Sequence, residues 1–411
     1  MNQIQYFANS TQIRLADGSC KSVEEITTAD SVLGLDGLAK KIITVEQGNG
    51  KMFNINPVLG NNFAINDKHI LVLKFTSAEL INWKPARKYY SVQYLQDMKI
   101  RSKCFSYGKY PPPLTEERKA ALLKQAQEFL LNKSKEPGYN RIGDVISITV
   151  ENFLKLPNNI IRILYSFKQS IEYLEKPISI DPYMLGLWLG DGTSAEPAIT
   201  NIDEEITDYI YKFADDRKLR VSIRKKYLYD DDGMKYDSEV NTYYIAGNPK
   251  NTFRDALKNY NLLNNKHIPL DYLLNTRAIR LQVLAGLIDT DGYLKDNCYE
   301  IVQKSDKIAN GLIDLSRSLG FKTAHSKVNK TCVKKNGERV TGIYNRVAIS
   351  GDRLTDIPVL LPRKKATPCG KKVNFLITQF KITETEKCDY TGFKIEGDGK
   401  FLGVDFTVLH A

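Results

Sequence analysis

Leu284-Ala285-Gly286-Leu287-Ile288-Asp289-Thr290-Asp291-Gly292 is an apolar run that ends in an acid and a glycine. Met184-Leu185-Gly186-Leu187-Trp188-Leu189-Gly190-Asp191-Gly192 echoes it about 100 residues earlier. Gly186 and Gly190 are four apart, as are Gly286 and Thr290. That spacing places small residues on one helical face and lets two helix backbones approach closely. Gly192 and Gly292 are expected to stop the two helices in the left-handed conformation. Asp191 and Asp291 then stand at the ends of neighbouring helices, where a carboxylate is electrostatically unfavourable. A divalent cation between them would offset this, and hard oxygen ligands suit magnesium.

The repeat extends beyond these runs. Residues 206–223 and 308–325 share a helix, a turn and a strand, and Asn265-Lys266-His267-Ile268-Pro269 is echoed by Lys364-Lys365-Ala366-Thr367-Pro368. Two copies imply two pseudo-symmetric lobes rather than a solenoid, and twofold lobes match a DNA duplex. In the first lobe, residues 221–229 and 239–245 read as paired strands around the solvated turn Asp230-Asp231-Asp232-Gly233. Arg224, Lys225 and Lys226 fall on one of these strands, as expected of a saddle laid in a major groove. The second lobe has hairpin candidates at 300–304 and at Lys334-Lys335-Asn336-Gly337.

At 411 residues, two or three domains are expected. A net charge of +11 favours a polyanionic partner. No apolar run is long enough to span a membrane, and the N-terminus lacks a signal-peptide layout. The six cysteines include no C-x-x-C pair, so they read as reduced thiols of an intracellular protein rather than a disulfide frame or a zinc site.

Residues 11–35 alternate short β-like runs with turns such as Ala16-Asp17-Gly18, the pattern of a compact all-β domain. From residue 83 to 141 the character changes. Trp83-Lys84-Pro85-Ala86-Arg87-Lys88-Tyr89-Tyr90 and Lys99-Ile100-Arg101-Ser102-Lys103 interleave basic and aromatic residues up to Pro111-Pro112-Pro113. A helix is expected from Thr115, with Glu116 and Glu117 in its first turn and a stripe of Leu122, Ala126 and Phe129. Lys84, Arg87, Lys88, Lys99, Arg101 and Lys103 are candidates to grip phosphates, a few reaching base edges. Residues 143–156 read as the last strand before the lobes.

The paired runs resemble the LAGLIDADG signature of homing endonucleases, and the N-terminal β order resembles the start of an intein splicing domain. The chain is thus similar to the intein-derived homing endonucleases. This resemblance implies a multidomain α+β protein, with an all-β intein-like (Hint) splicing domain split around a two-lobed, pseudo-symmetric αββαββα endonuclease domain. Residues 1–181 would form the first part of the Hint-like domain, carrying a DNA-recognition insertion at about 83–141. Residues 182–368 would form the endonuclease, with lobes at about 182–275 and 276–368, and residues 369–411 would complete the β domain. It further implies Asp191 and Asp291 as metal ligands and catalytic acids, with Lys266 and Lys365 stabilising charge or helping to activate water, the match to Lys365 being open to its neighbour Lys364. The cofactor would be Mg2+, with Mn2+ able to substitute. The partner would be double-stranded DNA with a long recognition site, cut by a monomer to leave short 3′ overhangs, in the nucleus if the host is eukaryotic.

The same resemblance implies splicing chemistry that this chain lacks. The position of the first nucleophile is Tyr6, and a phenol is a poor acyl acceptor. Asn66-Asp67-Lys68-His69 keeps the histidine of a Thr-x-x-His element without its threonine. Phe406-Thr407-Val408-Leu409-His410-Ala411 resembles the C-terminal strand, with Ala411 in place of the cyclising asparagine. His69 and His410 are then relics or structural residues, and splicing is not expected. The alternatives are an intein blocked at Tyr6 and Ala411, and a protein that binds DNA without cutting. The target sequence is not legible, because recognition spreads over many side chains.

Overall fold

The computed structural model describes residues 4–77, 79–108, 113–229, 235–333, 338–370 and 374–411, with backbone alone at 226–229, 235–239 and 332–333. The Lys226 side chain, Pro111-Pro112, the turn Asp230-Asp231-Asp232-Gly233 and the turn Lys334-Lys335-Asn336-Gly337 lie outside the described residues. The chain forms a multidomain α+β structure of two units. One comprises Met1–Gly34, Ala39–Lys168 and Ile377–Ala411, the other Leu35–Leu38 and Gln169–Leu376.

The first unit is built from both ends of the chain. The long strand Ala39–Pro57 runs antiparallel to Phe380–Ile395, from Pro57 opposite Phe380 to Ile42 opposite Ile395. Gln5–Ala8 adds to the same C-terminal strand, with Tyr6 opposite Gly392. Alternation along these strands buries Phe7, Ile55, Phe393 and Ile395 in one core with Ile13, Val32 and Phe401. A second sheet holds Ile70–Phe75 between Val145–Thr149 and Leu164–Phe167.

The strand expected over 143–156 is therefore shorter than its pattern. Thr149 ends it by accepting a hydrogen bond from the Asn152 N–H, and Val150–Leu154 continues as a short helix burying Val150 and Phe153. Leu164–Phe167 is the last strand before the second unit.

The basic and aromatic insertion is a sheet of Glu79–Lys84, Tyr89–Gln96, Lys99–Phe105 and Tyr139–Asn140. Helix α1 (Glu116–Lys133) packs on it, capped by Thr115, whose hydroxyl accepts from the Arg118 N–H at 3.3 Å. Its buried stripe is Leu122, Ala126 and Leu130, against Tyr90, Val92 and Tyr94. Four-residue spacing favours Leu130 over Phe129, which lies at the rim.

The second unit repeats one pattern. Helix α2 (Pro182–Asp191) leads to Ala198–Asn201, α3 (Glu204–Asp216), the strands Arg220–Tyr229 and Lys235–Ala246, and α4 (Thr252–Asn259). Helix α5 (Arg277–Asp291) leads to Gly292–Lys295, Cys298–Gln303, α6 (Asp306–Ser318), Lys322–Val333 and Arg339–Ser350. Both sheets are antiparallel throughout. Residues 300–304, expected to form a hairpin, lie mostly within a strand. The turn sits earlier, at Asp296 and Asn297, whose φ values of 50° and 55° suit short polar residues. One hydrophobic core, centred on α2 and α5, serves both halves.

Candidate active site at paired helix ends

Glycine decides how closely α2 and α5 approach. A Cβ on Gly186 would lie 2.4 Å from the Val283 carbonyl oxygen and 2.8 Å from Gly286 Cα, and one on Gly286 would lie 2.4 Å from the Tyr183 carbonyl oxygen. Backbone therefore meets backbone, and the C-terminal ends of both helices come together. The two terminal glycines are not left-handed, contrary to the expected stop. Gly192 has φ −73° and ψ 149°, and Gly292 φ −81° and ψ 147°. Space demands glycine there, since a Cβ would come within 2.2 Å of the Trp188 carbonyl oxygen and 2.6 Å of that of Ile288.

Asp191 and Asp291 are half-buried at these ends. Burial, and then the charge of Asp291, push the Asp191 carboxyl up to about 6. Burial also raises Asp291, against the pull of Lys266. Each acid is held by an amide at the end of a following strand. Asn201 Nδ2 donates to Asp191 Oδ2 at 2.9 Å, and Gln303 Nε2 donates to Asp291 Oδ2. The third acid of the motifs, Asp289, is buried and accepts from the Tyr183 hydroxyl at 2.8 Å and the Leu360 N–H at 2.7 Å.

Two lysines cap the helix ends. Lys266 Nζ donates to the carbonyls of Leu189 at 3.1 Å and Gly192 at 2.6 Å, and lies 4.9 Å from the centre of the Trp188 ring. Burial draws its pKa down to about 8. Lys364 Nζ donates to the carbonyls of Ile288 at 2.8 Å, Asp289 at 2.7 Å and Thr290 at 3.2 Å. Of the two adjacent lysines, it is Lys364 rather than Lys365 that meets this helix end. The turn Pro362–Lys364 ends at Lys365, which resumes extended backbone and leaves its side chain exposed. Cations at the last turn offset the unfavourable helix-end field.

The donor set fits a divalent cation. Two carboxylates resist ionising because they are buried and, for Asp191, because Asp291 is near; a cation relieves both penalties. No group of three or more His, Cys, Asp or Glu side chains placed to hold a metal ion occurs among the described residues. One or two carboxylates, completed by water and phosphate oxygens, is a set that magnesium accepts.

The basic candidates have different settings. Lys84, Arg87, Lys88, Lys99, Arg101 and Lys103 are all exposed on the insertion. Arg101 lies 3.8 Å from Asp97, and Lys103 Nζ lies 4.5 Å from the centre of the Phe129 ring. In the second unit, Arg224 and Lys225 are both exposed, and Arg224 donates to Glu196 at 3.0 Å and covers the Tyr244 ring.

The terminal residues meet in the first unit. His69 is buried, with Nδ1 3.3 Å from the Tyr6 carbonyl oxygen, and burial followed by the nearness of His410 draws its pKa down to about 3. Burial also lowers His410. The Tyr6 hydroxyl donates to Glu46 at 2.9 Å and is pushed up to about 12, chiefly by burial. Ala411 is buried, and its N–H donates to the Gly399 carbonyl at 2.7 Å.

The family described as Hom_end-associated Hint matches residues 6–410. A replicative DNA helicase DnaB of Mycobacterium intracellulare is 28% identical over 38% of this chain and 21% of its own length. The catalytic subunit of a V-type proton ATPase of Candida tropicalis is 20% identical over 98% of this chain and 43% of its own. A homothallic switching endonuclease of Saccharomyces cerevisiae is 24% identical over 76% of this chain and 63% of its own. The chain spans less than two-thirds of the length of each of these relatives. Among solved structures, I-DmoI in complex with DNA and Ca matches 42% of this chain and 83% of that chain, at 15% identity and a TM-score of 0.26. I-DmoI in complex with DNA and Mn matches 42% and 89%, at 15% identity and a TM-score of 0.27.

Proposed function

The chain belongs to the Hom_end-associated Hint family, within the intein-derived LAGLIDADG homing endonucleases, and from this we propose that it cuts both strands of a specific DNA duplex by metal-dependent phosphodiester hydrolysis. One observation carries the reading: two half-buried acids stand at the ends of helices whose backbones touch, with a lysine at each end. The relative named a homothallic switching endonuclease supports the activity class. On this reading the unit of residues 169–376 is the two-lobed LAGLIDADG endonuclease. The unit assembled from both ends of the chain is the Hint-like domain, with residues 83–141 as its DNA-recognition insertion.

Asp191 and Asp291 would hold magnesium, or manganese in its place, and it would supply Lewis-acid polarisation of a scissile phosphate and a more acidic water. The chain's own groups set the stage. Asn201 and Gln303 fix the carboxylate oxygens by hydrogen bonds. Lys266 and Lys364 keep positive charge at the helix ends, where it opposes the negative charge that builds on a phosphate during hydrolysis. Exposed lysines and arginines on the insertion and on the sheets provide the phosphate grip, screened by salt. On this reading splicing is inactive, because the Tyr6 phenol is a poor acyl acceptor and Ala411 has no side-chain amide to cyclise.

The test is magnesium-dependent cleavage of a randomised duplex library beside an Asp291→Asn variant. Site-specific double-strand breaks by the wild type alone establish the activity and reveal the target. Selective binding without cutting by the wild type removes it.

A further inference from the structure

Asp203 is the N-cap of α3, yet its carboxylate makes no capping hydrogen bond. The aspartate, asparagine, serine and threonine caps of α1, α2, α4, α5 and α6 all do. Both Asp203 oxygens instead face Arg363 of the other half. Arg363 Nη1 donates to Oδ1 at 2.7 Å and Nη2 to Oδ2 at 2.8 Å. Asp203 is 17% exposed, and the paired fork is the strong geometry for arginine and carboxylate.

Both ends of this link lead to the site. On one side, the Asp203 N–H donates to Asn201 Oδ1 at 2.8 Å, and the same Asn201 amide donates to Asp191. That bond orients the amide so that its NH2 faces the acid. On the other side, Arg363 directly precedes Lys364, the cation on the last turn of α5. The opposite lysine has a weaker counterpart. Lys307 of α6 donates to Asn265, the residue before Lys266, at 2.6 Å, as a single bond to a neutral amide.

We infer that Asp203 and Arg363 are positioning residues for hydrolysis, linking the acid of the first half to the lysine of the second. The inference rests on the endonuclease reading. Its consequence is asymmetric: loss of the link releases Lys364 and leaves Lys266 in place, so one strand is cut late.

Arg363→Met, Asp203→Asn and the double variant test this, with melting temperature as the folding control. The first readout needs no DNA. Lysine side chains are labelled with an amine-reactive ester and mapped by peptide mass spectrometry. Labelling of Lys364 should rise severalfold in each variant while that of Lys266 stays constant. The second readout is strand-resolved cutting of a supercoiled plasmid carrying a site recovered from the library. Each single variant should accumulate nicked circles, with one strand slowed about tenfold to a hundredfold. The double variant should be no slower than either single, because the two residues act through one bond.

Unchanged Lys364 labelling overturns the inference, as does equal slowing of both strands. Full activity in Asp203→Asn beside a slow Arg363→Met also overturns it, since Arg363 would then act on DNA directly. A wild type that cuts no DNA removes the endonuclease reading instead, and the labelling result then decides the link alone.

Discussion

The two acids differ from ordinary surface aspartates because burial opposes their charge. The Asp191 carboxyl sits near 6 in the folded protein against 3.8 for an unperturbed aspartate. Between these values the native state keeps a proton that the unfolded chain has released. The associated stability is therefore fully present below about pH 4 and is lost as pH rises through about 6. In chelator, Asp191→Asn should raise unfolding free energy at pH 7.5 by on the order of 2–3 kcal/mol. The gain should vanish below pH 4, which denaturant melts at both pH values will show. A second residue-scale test separates adjacent lysines. Lys364→Met removes the helix-end cation and should lower the cutting rate by about a hundredfold or more, whereas Lys365→Met should stay near wild type in the same assay. Sequence spacing placed a lysine before the proline in each half. Choosing between Lys364 and Lys365 required the backbone of the turn, because adjacent residues differ in direction and not in chemistry.

At the scale of elements, the α2 and α5 pair carries the site. Gly286→Ala would bring a Cβ to 2.4 Å from the Tyr183 carbonyl oxygen, which the rigid backbones cannot relieve without separating. Overpacking of this kind should cost about 3 kcal/mol or more, read as a lower denaturant midpoint, together with loss of cutting. The insertion makes a different prediction. Lys99, Arg101 and Lys103 share one edge strand, and replacing all three with alanine should weaken DNA binding without slowing cleavage of bound DNA. The slope of log affinity against log salt should fall by about 0.9 for each phosphate contact removed. Helix α1 and its Thr115 cap were legible in sequence because capping is local. The end of the strand at Thr149 was not, since a strand and a capping threonine share the same extended backbone.

At the scale of the molecule, the first unit depends on residues far apart in the chain. Phe380–Ile395 is the hydrogen-bonding partner of both Ala39–Pro57 and Gln5–Ala8. Removing residues 377–411 should unfold that unit and leave residues 169–376, whose core is separate, folded. Circular dichroism and limited proteolysis of the truncated chain will show this as lost β signal with a resistant fragment that retains α2 and α5. A fully unfolded fragment would contradict it.

Sequence alone determined the duplicated helix motifs, the acids at their ends, the close glycine faces and the basic insertion, because each follows from local spacing and residue chemistry. Tertiary structure decided the rest. The lysine that caps α5, the internal role of Asp289 and the link from Asp203 to Arg363 join residues distant in sequence, and the amides on Asp191 and Asp291 come from a strand that folds back after each helix. Hydrogen bonds across such distances leave no periodic trace, and an asparagine at the end of a strand looks the same whether it faces solvent or an acid.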